Sequence, residues 1–109
     1  MTAARSKPPV TRNGTTRKIR LGRVTLYVTL NRLPDGTPCE MFGKADEGNQ
    51  GQLDALCLTA SLAMQHGVPL ALILRHWRGM RYPPDGIAGQ GSSIPDAIAR
   101  ALEKKSDGA

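Results

Sequence analysis

The chain has 109 residues with a formal net charge of +6 at pH 7, and only 4% of its residues are aromatic. This length is typical of one domain with a modest core, and the few aromatic residues argue against a base-stacking surface like that of sheet-based RNA readers. No apolar run approaches the roughly 20 residues of a membrane span, and the first ten residues lack the apolar segment of a secretory signal. We therefore expect a cytoplasmic protein that does not contact a membrane.

The positive charge is concentrated at the N-terminus. The first 23 residues contain seven Lys and Arg and no Asp or Glu. Residues 1–15 also contain paired prolines, Asn-Gly and scattered Ser and Thr, so we predict a disordered basic arm. The basic residues of this arm and of the segment that follows it could bind nucleic acid through Arg12, Arg17, Lys18 and Arg20. The alternative is a solvated tail with no ligand.

The segment after the arm predicts a small antiparallel sheet. Ile19 and Leu21 indicate a short first strand that ends at Gly22. Apolar and polar residues then alternate strictly over residues 23–31, as on a strand with one buried face. A Leu-Pro-Asp-Gly turn at residues 33–36 returns the chain as a third strand that ends at Lys44.

Three helices are predicted after the sheet. A polar loop over residues 43–51 leads into the first helix, whose apolar positions recur every three or four residues from Leu53 to Met64. Gly67 and Pro69 favour a break and the start of a second helix, which buries Trp77. Ser93 is placed to cap a third helix.

We therefore expect an α+β fold in which a sheet of about three strands is covered on one face by three helices. One domain is predicted over residues 16–105, and a tail over 106–109. The first two helices read as a hairpin that is almost apolar all round, because Leu58, Leu62 and Ala63 lie beside the main stripe. That excess of apolar surface favours a homo-oligomer or a larger protein partner.

The residue pattern predicts no catalytic site, metal or cofactor. Cys39, Cys57, His66 and His76 do not have the spacing of a common structural zinc site. No Ser, Cys or carboxylate lies beside either histidine by local spacing, although catalytic groups can also assemble from distant segments. We therefore expect a protein without catalytic activity of its own.

Two junctions between a loop and a helix could bind an anion such as a phosphate. The candidate residues of both junctions, with three nearby arginines, are Gly51, Gln52, Arg75, Arg78, Arg81, Gly91, Ser92 and Ser93. A nucleotide or another phosphorylated small molecule would fit such a site. The alternatives are a plain connector at the first junction and solvated arginines near the second.

Several short segments, in order, resemble the TSCPD domain family. They are residues 27–31 (Tyr-Val-Thr-Leu-Asn), 35–36 (Asp-Gly), 40–42 (Glu-Met-Phe), 66–70 (His-Gly-Val-Pro-Leu), 78–84 (Arg-Gly-Met-Arg-Tyr-Pro-Pro) and 92–102. The last of these resembles the Thr-Ser-Cys-Pro-Asp stretch that names the family. The resemblance covers about residues 23–105.

The resemblance implies an accessory role in deoxynucleotide supply and DNA synthesis. The family is known as the C-terminal domain of cobalamin-dependent (class II) ribonucleotide reductases and as small stand-alone proteins. A partner reductase, which would carry the cofactor and the radical chemistry, or a nucleotide is the ligand implied. Family members often carry two cysteines where this chain has Tyr82 and Ile94, so a paired-thiol or metal role there is not carried over. The alternative is a recruited interaction protein, self-associating or bound to nucleic acid through its arm, with no reductase role.

Overall fold

The computed structural model describes residues 4–87 and 89–103, and the predicted tail at 106–109 lies outside them. Within the described residues the chain forms an antiparallel sheet of three strands and three helices, which confirms the predicted α+β fold. The elements are β1 (Asn13–Leu21), β2 (Val24–Arg32), β3 (Pro38–Lys44), α1 (Glu47–Gln65), α2 (Leu70–Trp77) and α3 (Ile94–Glu103).

The sheet has the order β1-β2-β3 and is built from two consecutive hairpins. In the second hairpin, the Gly36 N–H donates to the Leu33 carbonyl over 2.8 Å, and Gly36 has φ +93°. The Asp35 carboxylate accepts a hydrogen bond from the Thr37 N–H at 2.9 Å. This is the turn that the Leu-Pro-Asp-Gly sequence predicts. The first strand is longer than predicted, because β1 begins at Asn13, before the predicted domain boundary at residue 16.

One face of the sheet carries the core, and within residues 4–87 and 89–103 no helix covers the other, open face. Leu21, Leu26, Val28 and Met41 point toward the helices and are fully or almost fully buried. Side chains at the intervening positions, such as Tyr27, point away from the helices because successive side chains of a strand alternate between faces. The alternation seen in the sequence of β2 therefore predicts the buried face of the sheet correctly.

Helix α1 lies against β3 and covers its outer edge with polar side chains. Ser61 Oγ accepts from the Met41 N–H at 2.8 Å and donates to the Met41 carbonyl at 2.9 Å. Gln65 Nε2 donates to the Cys39 carbonyl at 3.1 Å, and Gln50 Nε2 donates to the Gly43 carbonyl at 3.0 Å. An edge strand otherwise exposes unpaired N–H and C=O groups. Because these bonds occupy such groups on β3, they prevent another strand from pairing with this edge.

Helix α1 ends as its sequence predicts, but α2 packs differently from a simple hairpin. Gly67 has φ +95°, and the Val68 N–H reaches the Ala63 carbonyl over 2.9 Å, as in a Schellman motif. Helix α2 then packs more extensively against α3 than against α1. Leu26 and Trp77 nevertheless share one core with the partly buried Leu56. None of the helices in residues 4–87 and 89–103 has the length and apolar composition needed to span a membrane.

Candidate functional site

The most highly organised polar site is the start of α3, where the carboxylate of Asp96 is fully buried. Its Oδ1 accepts a hydrogen bond from the Gly79 N–H at 2.8 Å, and its Oδ2 accepts one from the Ser92 N–H at 2.8 Å. Arg100 Nε lies 2.9 Å from Oδ2, one helical turn along α3. The Asp96 N–H donates to Ser93 Oγ at 3.2 Å, which confirms Ser93 as the predicted cap.

This environment keeps Asp96 ionised. Burial alone would raise the pKa of its carboxyl group, because it disfavours the charged form. The hydrogen bonds from the Gly79 and Ser92 N–H groups, with those from Arg100 and the Ser92 hydroxyl, outweigh burial and lower the pKa to about 2. Asp96 is therefore a permanent internal anion at neutral pH.

Several of the predicted anion-binding residues surround this carboxylate. The N–H group of Ser92 is bonded to it, and the Ser93 hydroxyl caps the helix. Arg78 lies 3.8 Å from Asp96 and also pairs with Glu103. Gly91 adopts φ +136°. It packs closely against Ala97, because a Cβ added at Gly91 would lie only 2.9 Å from the Ala97 Cα. The chain thus places its own carboxylate where an external anion was predicted.

The predicted junction at Gly51 and Gln52 is wrong, because both residues lie inside α1. The predicted loop over residues 43–51 is shorter: β3 extends to Lys44, and α1 begins at Glu47. Gln50 explains the early start, since its Oε1 accepts from the Ala45 N–H at 2.7 Å and its Nε2 donates to the Gly43 carbonyl. The backbone N–H of Gly51 therefore does not lie at a helix start.

The other arginines are spread over two places. Arg75 is exposed on α2. Arg81 lines a shallow cavity of about 230 Å³ together with Tyr82, Pro83, Asp85 and Ser92. Gln52 is drawn toward this cavity, because the Tyr82 hydroxyl donates to its side-chain oxygen at 2.8 Å. The hydroxyl is the donor in this bond because an amide oxygen can only accept, and burial raises the pKa of Tyr82.

The two cysteines are unsuited to thiol chemistry in this fold. Cys39 and Cys57 are free and buried. Burial raises the pKa of both thiols, that of Cys57 to about 12 with a contribution from Asp54, so both are protonated at neutral pH. Residues 4–87 and 89–103 contain no group of three or more His, Cys, Asp or Glu side chains that could hold a metal ion.

The candidate nucleic-acid residues do not form one surface. Arg12 donates through Nε to Glu40 at 2.8 Å, which holds the pKa of Glu40 below its usual range. Arg17 is half-buried on the helix side of the sheet and lines a cleft with Leu70 and Leu74. Lys18 and the adjacent outward position, Arg20, are exposed on the opposite face. Arg17 and Lys18 lie on opposite faces because successive side chains of a strand alternate between the two faces of a sheet.

Two surfaces of the structure were predicted only in part from the sequence. One is the open face of the sheet, where Lys18, Tyr27 and Lys44 stand in one row across the three strands. The other is a groove between β3 and α1, whose exposed apolar side chains are Phe42, Leu58 and Leu62. Leu58 and Leu62 belong to the apolar surface that the sequence analysis singled out, whereas the groove that they form with Phe42 was not predicted. The alternation of β2 indicated the first surface, but the register that aligns Lys18 and Lys44 with Tyr27 was not predicted.

Comparison with known proteins finds one family and a consistent set of relatives. The family model of the TSCPD domain matches residues 2–106. A vitamin B12-dependent ribonucleotide reductase of Rhodopirellula baltica is 35% identical, over 90% of this chain and 10% of the reductase. The corresponding proteins of Streptantibioticus cattleyicolor and Streptomyces clavuligerus are each 31% identical over 90% of this chain, which covers 18% and 11% of their lengths. No solved structure matches.

Proposed function

The chain belongs to the TSCPD domain family, and from this premise we propose that it is a non-catalytic module that acts with a B12-dependent ribonucleotide reductase. The observation that carries the proposal is the extent of the similarity. It covers 90% of this chain but only 10–18% of the three reductases named above. In those proteins the matching segment therefore accompanies a much larger remainder of the same polypeptide.

The interior of the domain supports an accessory role rather than a catalytic one. Reduction of a ribonucleotide requires reactive groups that a substrate can reach. The thiols of Cys39 and Cys57 are buried and protonated at neutral pH. The buried carboxylate of Asp96 is engaged by N–H groups and by Arg100. These groups are structural, and we assign the chemistry to the remainder of the reductase.

We assign the contact with the reductase to the groove between β3 and α1. Leu58 is 63% exposed, Leu62 is 40% exposed, and both project from α1 beside Phe42. Arg5 and Asp54 supply charge of both signs at the rim. An apolar centre with a polar rim is the composition of a protein–protein interface. The reductase is the occupant that we propose, because the relatives carry this domain within that protein.

A binding measurement tests this assignment. The chain is titrated into the catalytic part of the B12-dependent reductase from the same organism, prepared without this segment if the two share a polypeptide. We expect saturable binding that the double variant Leu58→Ser/Leu62→Ser weakens at least tenfold, because buried leucines contribute strongly to interfaces. The control is Leu72→Ser, which removes an exposed leucine from α2.

Two outcomes would contradict the docking role. One is the absence of binding to the reductase. The other is a stable dimer of this chain that the Leu58→Ser/Leu62→Ser variant converts to a monomer, which analytical ultracentrifugation would detect. In that case the groove binds a second copy of the chain instead of the reductase.

A nucleotide or another phosphorylated small molecule is the second ligand that we propose, at the cavity lined by Arg81. Its lining combines the cation of Arg81 with Tyr82, Pro83 and Ser92, and it also contains Asp85. The guanidinium suits a phosphate and an aromatic ring suits a base. Isothermal titration with ATP and dATP at low salt tests this assignment. Binding should be lost in Arg81→Gln and retained in Arg75→Gln, and the absence of heat with either nucleotide would exclude it.

A further inference from the structure

The open face of the sheet presents four rows of side chains, which we call the outer sheet face. Side chains in one row belong to residues that pair across the strands. The rows are Gly14–Asn31–Glu40, Thr16–Thr29–Phe42, Lys18–Tyr27–Lys44 and Arg20–Thr25. Two hydrogen bonds between side chains confirm that these residues share a face: Thr16 Oγ1 to Thr29 Oγ1 at 2.7 Å, and Arg20 Nη1 to Thr25 Oγ1 at 3.1 Å.

The charge of the outer sheet face is positive. Lys18 and Lys44 flank Tyr27 from the two neighbouring strands, and Arg20 stands two residues along β1. Among the described outward positions of the three strands, the one carboxylate belongs to Glu40, at the end nearest the N-terminal segment. Arg12 and the Asn31 amide both donate to it at 2.8 Å. In the row of Tyr27 and the row of Arg20, every charged outward residue is therefore a cation.

Two aromatic rings lie on the same face. Tyr27 is 45% exposed and Phe42 is 50% exposed, although residues of this type normally bury most of their surface. Tyr27 pairs with Lys44, so Phe42 occupies the diagonal position on the adjacent strand. Diagonal neighbours lie about 7–8 Å apart, within reach of aromatic side chains. The chain has only four aromatic residues, and that small number argued against a base-stacking surface. Two of the four, however, stand together on this face.

We propose that the outer sheet face binds single-stranded nucleic acid. Unpaired bases stack on Tyr27 and Phe42, and the phosphates on either side pair with the three cations Lys18, Arg20 and Lys44. Aromatic platforms within a cationic surface are the means by which proteins hold single strands. A duplex would offer its phosphates but not its base faces, which are covered by neighbouring bases. A single strand therefore fits this face better than a duplex, because it can both pair with the cations and stack on the aromatic rings.

This activity is separate from docking on the reductase. The groove assigned to docking lies between β3 and α1, whereas the outer sheet face is on the side of the sheet away from the helices. Phe42 borders both surfaces, so it is left unchanged in the tests. The variants below alter only residues that do not line the groove.

Fluorescence anisotropy of the full chain with labelled oligonucleotides tests the proposal. The probes are dT12, rU12 and a 12-base-pair duplex, in 50 mM salt. We expect binding to the single strands and at least tenfold weaker binding to the duplex. Three phosphate contacts predict a slope of about −2 in a plot of log affinity against log salt. The oligonucleotide that binds more tightly, dT12 or rU12, shows whether the site prefers DNA or RNA, and binding of either one supports the proposal.

Variants separate stacking from charge. Tyr27→Thr keeps a residue that favours strands and should weaken single-strand binding about tenfold, because it removes one stacking platform. Lys44→Gln should weaken binding and make the salt slope less negative by about 0.7. The matched control is Arg75→Gln, which removes one exposed charge from α2 and should change neither value. Thermal unfolding checks that each variant is folded.

Three results would overturn the proposal. They are no anisotropy change with dT12 or rU12, equal affinity for the duplex, and unchanged single-strand affinity in Tyr27→Thr. Amide chemical shifts during a dT12 titration give a further criterion. Shifts on the three strands support the outer sheet face, whereas shifts confined to residues 4–12 would instead assign binding to the N-terminal segment.

Discussion

The starts of α1 and α3 are both junctions between a loop and a helix, but they are built in opposite ways. At α3 the carboxylate of Asp96 is fully buried and collects hydrogen bonds from Gly79 and Ser92, which come from different segments. At α1 the cap residue Asp46 is exposed and makes no side-chain bond to the backbone of its helix. The start of α3 therefore joins three segments of the chain through one carboxylate. The cap residue of α1 makes no comparable bond.

This difference shows why a helix start is by itself a weak indication of an anion site. Unpaired N–H groups attract any anion in reach, and that anion can come from the same chain. At α3 it is Asp96, supported by Arg100. At α1 no buried carboxylate among the described residues takes this place, and Gln50 instead bonds to the Ala45 N–H and the Gly43 carbonyl just before the helix. The following substitutions test the contrast in order of decreasing effect.

Removing the buried carboxylate should have the largest effect. Asp96→Ala leaves the N–H groups of Gly79 and Ser92 without acceptors and Arg100 without its partner. We expect a loss of about 3 kcal/mol in the free energy of unfolding, measured by urea denaturation. Asp54→Ala, which removes an exposed carboxylate from α1, should stay within about 0.5 kcal/mol. Equal losses in the two variants would show that burial of Asp96 is unimportant.

Lowering the pH tests the same interaction without a mutation, because it protonates the Asp96 carboxylate. The pKa of Asp96 is about 2 in the folded chain, below the ordinary value of 3.8. Its contribution is therefore complete above about pH 5 and is lost as the pH falls toward 2, by about 2 kcal/mol at pH 2. Asp35 and Glu40 also have lowered pKa values, so the comparison is with Asp96→Asn. A variant with the same acid dependence as the parent would refute this assignment.

The helix caps themselves should differ by a smaller amount. Ser93→Ala removes the acceptor of the Asp96 N–H and should cost about 1 kcal/mol in unfolding free energy. Asp46→Ala should cost clearly less, because the Asp46 side chain does not cap the backbone of α1. Thermal and urea unfolding of the two variants, side by side, measure the difference. A larger loss in Asp46→Ala would reverse the contrast between the junctions.

The smallest expected effect is a gain in stability at α1. Gly51 lies inside the helix, is exposed, and has nothing within 4 Å of an added Cβ. Gly51→Ala should therefore stabilise the chain by about 0.5–1 kcal/mol. The reverse exchange at an exposed position of the same helix, Ala55→Gly, should destabilise it by a similar amount. Destabilisation by Gly51→Ala would indicate that the junction does require a glycine.

Local patterns predicted most of the fold but less of the site. The turn at Asp35–Gly36, the helix end at Gly67 and the cap at Ser93 were all correct, because each depends on a few adjacent residues. The start of α1 was placed too late, since two glycines and several polar residues resemble a loop, while the bonds of Gln50 to Gly43 and Ala45 hold them in a helix. Here a contact across several residues outweighs intrinsic helix propensity.

The number and kind of the elements and the buried face of the sheet could be predicted from the sequence, because periodicity and local turn chemistry are properties of neighbouring residues. The family could be predicted from the resemblance of several short segments. Two arrangements became clear only in three dimensions: the Asp96 carboxylate accepts hydrogen bonds from the Gly79 and Ser92 N–H groups, and Lys18, Tyr27 and Lys44 stand in one row. Both arrangements depend on the meeting of segments that are distant along the chain. The packing of α3 determines the contacts of Asp96, and the strand register determines the row of Tyr27. Neither can be predicted from a local sequence pattern.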